Sequence, residues 1–479
     1  MNDNFDEVLF DKLSKNVDGL MKKFIEEQQD IIIPFWEYFN ETNNSILSKV
    51  IFLDFYNDFE FLCDYLENNL YNNKAKIVKY INSQNDQGIT ALHYASYKGR
   101  VKIIKKLIEL GADIKITNKK GLNVLHFAAQ GNQPNSLAYF KEKFNEDLDS
   151  LDSIYSTPLH WACYTNSINA IDYLLCNNIE LNQRNNEGFT PLHLAIINDN
   201  VHIIKRLLRA GADKNIVDNN NRTPEDLAKL KQKKCLKIFK NKSFCWNIFI
   251  INTPIRKVNK SKKNIFLFIF LYIFSFITEL VIILPNVYSL KLYFIFIFMN
   301  YLVFVIYFLL ICNDPSVSPK NLINIIEILE SGNDISFYCT KCKIEKKNFT
   351  VHCFICQKCI EDFDHHCYWI DNCVGKKNYI LFILLLILNL VNFIIYFIID
   401  ILSFFRLKEN KKTLSIIFLI LNLFIIGIFS MLIIFLLLIQ IRNSLYNIKL
   451  KQIMEKNRSK SIRNHSKNIP KQNNRDNQL

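Results

Sequence analysis

CTKCKIEKKNFTVHCFICQKCIEDFDHHCYWIDNC, residues 339–373, holds seven of the chain's 13 cysteines and three of its nine histidines. Core packing has no use for that density, but metal binding does. Cys-x2-Cys pairs at Cys339/Cys342, Cys353/Cys356 and Cys356/Cys359 hold two thiolates at the separation a tetrahedral zinc ion takes. Ten candidate ligands exceed by two the eight that two closed tetrahedral sites require. Neighbours such as His352 and Cys353, or His365 and His366, point in different directions along the backbone. One of each pair is therefore expected at one ion and its neighbour at another, giving interleaved sites and two spare residues in which chemistry can reside.

From Asp362 the run reads DFDHHCYWIDNCVGKKNYILF, and over about 45 residues it resembles the cysteine-rich domain of the DHHC protein S-acyltransferases (palmitoyltransferases). The resemblance implies that Cys339, Cys342, His352 and Cys359 hold one structural zinc ion, and Cys353, Cys356, His366 and Cys373 a second. It leaves His365 and Cys367 free. It further implies that Cys367 takes an acyl group from palmitoyl-CoA or another long-chain acyl-CoA and passes it to a cysteine of a target protein. His365 would act as base, and Asp364 would orient its imidazole. Trp369 and Phe382 are expected at the acyl tail, and Lys376 and Lys377 beside coenzyme A. Asn378, matching the family's Asn-x3-Phe, is expected to brace a helix start. The chain departs from the family pattern at Lys346–Thr350, where Lys-Pro-x-Arg-Ser is usual, and at Tyr368, where proline is common. Asp314-Pro315-Ser316 replaces Asp-Pro-Gly, and no Thr-Thr-x-Glu follows the last apolar segment.

A second pattern fills the N-terminal half. GITALHYASYKGRVKIIKKLIELGAD from Gly88, GLNVLHFAAQGN from Gly121, STPLHWACYTNSINAIDYLLCNN from Ser156 and GFTPLHLAIINDNVHIIKRLLRAGAD from Gly188 repeat one unit, and NRTPEDLAKLKQKKCLKIF from Asn221 repeats it loosely. The Thr-like position recurs at Thr90, Asn123, Thr157, Thr190 and Thr223, which is the ankyrin period, and TPLH is the ankyrin signature. Thr caps a helix that Pro can open. Gly99, Gly131 and Asn198 are expected to turn the chain between the two helices, and Gly111 and Gly211 to end the second. His93, His126, His160 and His193 are expected to hydrogen-bond within the repeat rather than to hold metal. Residues Ala75 to Ile81 resemble a second helix alone, so a degenerate repeat is expected before Gly88. Such a stack binds proteins along its concave face.

Four apolar segments, about 265–284, 292–312, 380–403 and 415–441, are each long enough to cross a bilayer as a helix. Glu279 and Asp400 fall near the ends of two of them, where a carboxylate is expected to reach the headgroups. Positive charge before the first segment (Arg256, Lys257, Lys260, Lys262, Lys263) and after the last places both ends and the cysteine-rich loop in the cytosol. Arg406, Lys408, Lys411 and Lys412 are counted against that placement. An endomembrane address such as the Golgi follows from the resemblance alone.

The formal net charge of +14 is concentrated beside the apolar segments and in the tail, and no nucleic-acid motif accompanies it. No basic start and apolar core of a secretory leader is read in the first 50 residues. Cys63, Cys163, Cys176, Cys235 and Cys245 lack paired spacing, as small buried hydrophobes do. The expected fold is all-α: an ankyrin solenoid and a four-helix transmembrane bundle, with a small zinc-binding cysteine-rich domain. The divisions are a leading segment 1–50, repeats 51–240, a basic linker 241–264 whose short apolar run Phe244–Ile251 is read either as lying at the membrane surface with Trp246 at headgroup depth or as an anchor under the last repeat, spans at 265–312, the zinc domain 313–379, spans at 380–441 and a basic tail 442–479.

Overall fold

A computed structural model describes residues 39–230, 263–283, 290–317, 322–347, 350–367, 369–409 and 416–442 except 432 and 439. It also describes positions 18–19, 22–23, 25, 35–37 and 235–236. Trp246, Tyr368, most of the leading segment, most of the linker and all but the first residue of the tail lie outside them. The chain divides into two compact units, Met1–Lys260 with Ser316–His366 and Ser261–Pro315 with Cys367–Leu479.

In the first unit, helix pairs follow the repeat: Ala91–Lys98 with Val101–Glu109, Val124–Gln130 with Pro134–Phe144, Pro158–Tyr164 with Ile168–Leu175, and Pro191–Ile197 with Val201–Ala210. Each first helix begins with a capping box in which the third helical residue is histidine. At Thr157 the backbone N–H donates to His160 Nδ1 at 3.1 Å, so the ring proton sits on Nε2, which donates to the Phe189 carbonyl one repeat on at 3.1 Å. His126 reaches Ser156 O at 3.1 Å and His193 reaches Arg222 O at 3.3 Å in the same way. His126, His160 and His193 thus fix their own helix starts and also tie consecutive repeats, which is more than the internal bond expected of them, whereas His93 makes the capping bond with Nδ1 and its Nε2 is buried without a hydrogen-bond partner among the described residues.

The turns carry a second period. Asn85, Asn118, Asp152, Asn185 and Asp218 each accept two backbone N–H groups from the residues two and four positions on. These are side-chain-closed turns, repeated in step with the capping residues. Gly99, Gly111 and Gly211 adopt left-handed φ of 76°, 96° and 96° as expected. Gly131 and Asn198 do not. Asn132 and Asp199 make the left-handed turn instead, at φ 58° and 52°, and Gly131 is needed because a Cβ there would overlap the Tyr97 carbonyl. Before Gly88, the expected helix Lys74–Ile81 is preceded by Tyr56–Asn69 and by Ile46–Leu53, which packs on Ala91–Lys98 as a first helix would.

The second unit is mostly helical. Among the described residues, three helices are long and apolar enough to span a membrane: Leu290–Cys312, Tyr379–Phe405 and Ile416–Arg442. The first expected span is also helical, as Lys263–Thr278 continuing into a wide π turn, Glu279–Ile283. Polar side chains tie the helices where apolar ones gain nothing over lipid. Asn300 Oδ1 accepts from Tyr272, Tyr396 and Asn392 at 2.8, 3.0 and 3.1 Å. Ser275 donates to Asn422 at 2.7 Å, and the Asn422 amide donates to Glu279 at 2.9 Å and Asp400 at 3.4 Å. Glu279 and Asp400 are therefore not at the headgroups: both are fully buried, because their helices turn them inward onto Asn422. Among the described residues strands occur only in the cysteine-rich segment, so the fold is mostly helical rather than wholly so.

Candidate metal centre and active site

Two tight hairpins build the metal sites. Tyr338–Cys339 pairs with Ile344–Glu345, and Val351–Cys353 pairs with Lys358–Ile360. At each tip a Cys-x2-Cys turn closes by an N–H···S bond, Cys342 N–H to Cys339 Sγ at 3.3 Å and Cys356 N–H to Cys353 Sγ at 3.5 Å. The next residue, Lys343 or Gln357, takes a left-handed φ of 52° or 56°. Both are knuckles that point two sulfurs at one spot.

His352 Nδ1 lies 3.6, 3.2 and 3.8 Å from the sulfurs of Cys339, Cys342 and Cys359. Zinc bonds of about 2.3 Å to sulfur and 2.0 Å to nitrogen, at tetrahedral angles, would set those atoms about 3.5 Å apart. The donor set therefore fits zinc, held by three thiolates and one imidazole. Hydrogen bonds from Cys342 and Cys359 hold the Cys339 thiol well below its ordinary range. His366 Nδ1 lies 3.9 and 3.3 Å from Cys353 and Cys356 in a matching arrangement. Cys373 belongs to the strand Asn372–Val374 of the other unit. The segment thus carries two Cys/His clusters suited to zinc.

The two spare residues flank His366 on the strand His365–Cys367. Successive side chains of a strand alternate between faces, so His366 points one way and His365 and Cys367 the other. His365 Nδ1 is 2.8 Å from Asp364 Oδ2, and both side chains are over nine-tenths buried. That bond commits Nδ1 to the carboxylate, so any proton exchanged by this ring would pass through Nε2.

Cys367 is buried in the apolar core of the helical unit, which also holds Phe382, with Trp369 packed on its edge. Asn378 is buried and braces the loop before its helix: its carbonyl oxygen accepts from Gly375 N–H at 3.0 Å and its amide donates to Cys373 O at 2.8 Å. Two braces are illegible in the sequence. Tyr307 donates to Trp369 O at 2.9 Å, and the Asn372 amide donates to Leu310 O and Asn313 O at 2.9 and 2.7 Å. The only trace of Tyr307 is a phenol in an apolar run, which must find an acceptor once buried. Tyr307 also lines a cavity of about 110 Å³ with Ile269, Tyr272, Ile273, Val303, Phe304 and Asn389.

Residues 332–457 match the DHHC palmitoyltransferase family, and 80–128 and 159–208 match ankyrin repeats. Palmitoyltransferase ZDHHC13 of Homo sapiens is 26% identical over 384 residues, covering 66% of this chain and 62% of that protein. Palmitoyltransferase AKR1 of Kluyveromyces lactis is 32% identical over 129 residues, 25% of this chain and 17% of that protein. Notch-regulated ankyrin repeat-containing protein of Xenopus tropicalis is 36% identical over 63 residues, 13% of this chain and 55% of that protein. The chain spans less than two thirds of each of these relatives. It carries a DHHC palmitoyltransferase domain together with ankyrin repeats.

Proposed function

We propose that this chain is a protein S-palmitoyltransferase of the membrane, working through an acyl-enzyme on Cys367. The observation that carries the reading is the strand on which His366 turns to sulfur while His365, bonded to Asp364, shares the other face with Cys367. Cys339, Cys342, His352 and Cys359 would hold one zinc ion, and Cys353, Cys356, His366 and Cys373 the other. Bound zinc supplies rigidity to the hairpins, since four protein ligands leave no open position for substrate.

His365 Nε2 takes the Cys367 proton, and Asp364 stabilises the imidazolium that forms. The thiolate attacks the acyl-CoA carbonyl, a C–S bond forms, and the bond to coenzyme A breaks. The proton on His365 passes to the departing thiolate. A target cysteine then repeats the exchange: its proton goes to His365, its sulfur takes the acyl group, and Cys367 leaves as thiolate and is reprotonated. Trp369 and Phe382 would line the start of the acyl path, and the cavity beside Tyr307 is apolar enough for part of an alkyl chain. Lys376 and Lys377 would face coenzyme A. The basic residues flanking the spans support cytosolic placement of the array, the zinc segment and the basic ends, and the family resemblance supports a Golgi or related endomembrane. The ankyrin repeats would recruit target proteins.

Release of coenzyme A from palmitoyl-CoA tests the chemistry. The purified chain should give a burst of about one equivalent, the mark of a covalent intermediate, and Cys367→Ala should give none. An equal burst from both would refute the assignment.

A further inference from the structure

The helix Ile325–Glu330 precedes the first zinc hairpin, and neither the metal sites nor the proposed chemistry uses it. Within the first unit it packs against Val101–Glu109 and Pro134–Phe144, the second helices of two consecutive repeats. Ile325, Leu329 and Ile335 are buried in the same core as Leu107, Leu137 and Phe140 of the array. Beside this apolar plug, Glu330 at the helix end accepts from Lys105 and Lys143, each at 2.7 Å, and from the Tyr139 hydroxyl at 3.3 Å. Those lysine hydrogen bonds hold the Glu330 carboxyl down at about 2. Farther along, Ile335 N–H donates to Asn135 Oδ1 at 3.0 Å, and Lys341, inside the first knuckle, donates to Asn177 Oδ1 at 3.1 Å. The chain from Asn324 to Lys341 is thus fastened in turn to residues of three successive repeats, and it ends between the ligands Cys339 and Cys342.

The fastening residues named above lie on the second helices, save Asn177 in the turn after Ile168–Leu175, and none lies on a first helix, the side on which solenoids of this kind bind partners.

We propose that Glu330 is a positioning residue: its bridge to Lys105 and Lys143, with the apolar plug, registers the first zinc hairpin on the second helices of the ankyrin array. Array and hairpin then form one body, and the concave face stays open for a target. The role in presenting a target rests on the function proposed above, whereas the fastening itself does not.

The test uses the full chain, zinc-loaded, in lipid nanodiscs. Glu330→Lys should speed amide exchange over Ile325–Phe337 at least tenfold, and should speed the loss of one of the two zinc ions to a chelator about fivefold. The other ion's release, the melting of the array and the coenzyme A burst should stay within twofold of wild type. Adding Lys105→Glu and Lys143→Glu should restore exchange and zinc release, which a merely structural lesion would not allow. Unchanged exchange and release in Glu330→Lys would overturn the proposal, as would a charge-swapped chain no slower in exchange than Glu330→Lys. Loss of the burst in the wild type would instead count against the palmitoyltransferase reading and leave the fastening standing.

Discussion

Four of the chain's nine histidines recur through the ankyrin array and three crowd into the cysteine-rich segment, and the same side chain does opposite work in the two places. In the array, both nitrogens of His160 are spent on backbone, one on its own helix start and one on the next repeat. In the cysteine-rich segment, His352 turns Nδ1 to three sulfurs, and His365 gives Nδ1 to a carboxylate. Periodicity consumes the imidazole in holding neighbours together, whereas clustering on short hairpins points it at a common centre. What the ring does is set by what its backbone brings within reach.

Removing a metal ligand should have the largest effect. Cys342→Ser should cut bound zinc from about two ions to one per chain and unfold the first hairpin, because structural zinc contributes about 10–16 kcal/mol to such segments. Elemental analysis and amide exchange over Tyr338–Glu345 check this, and the array's own melting should not move. Asp364→Asn should slow Cys367 loading by about 10²–10⁴-fold with both zinc ions retained, since it misdirects the imidazole without touching a ligand. Single-turnover acylation is the measurement, and a rate within threefold of wild type would remove Asp364 from the mechanism.

Effects in the array should be smaller and confined to stability. His160→Ala loses a capping box and a bond to the next repeat, about 1–3 kcal/mol together. Urea unfolding should show that cost, with zinc content and loading per folded molecule unchanged. Acid should act gradually. Burial pushes His93 and His160 down to about 4 from an ordinary 6.5, so as pH falls the unfolded chain takes up protons before the folded one. The stability contributed by these neutral rings is complete above pH 6.5 and drains away as pH falls through 4. Melting temperatures of the array at pH 7.5 and 5 should therefore differ in favour of the higher pH, and His93→Gln should narrow the gap.

The repeats and the metal ligands were legible because their signals are spacings, which survive without coordinates. The turn-closing residues Asn85, Asn118, Asp152, Asn185 and Asp218 carry the same period and stand five positions before the capping residues, so the repeat itself marks them too. Gly131 misled because glycine answers both a left-handed turn and a close approach, and only the Tyr97 carbonyl tells which. Glu279 and Asp400 misled because hydropathy reports where a residue lies along a helix and not which way it faces. The partner that buries them, Asn422, is 143 residues from Glu279. The fastening by Glu330 was hidden for the same reason, since its lysines lie 225 and 187 residues away in the chain.

The most direct measurement is the labelling of the purified, zinc-replete chain with an alkyne-tagged palmitoyl-CoA, wild type beside Cys367→Ser, with hydroxylamine treatment and zinc content determined on both. The expected result is a hydroxylamine-labile label on the wild type that disappears in Cys367→Ser while both proteins keep two zinc ions. Equal labelling of the two proteins, or no label on a wild type that holds its zinc, would contradict it.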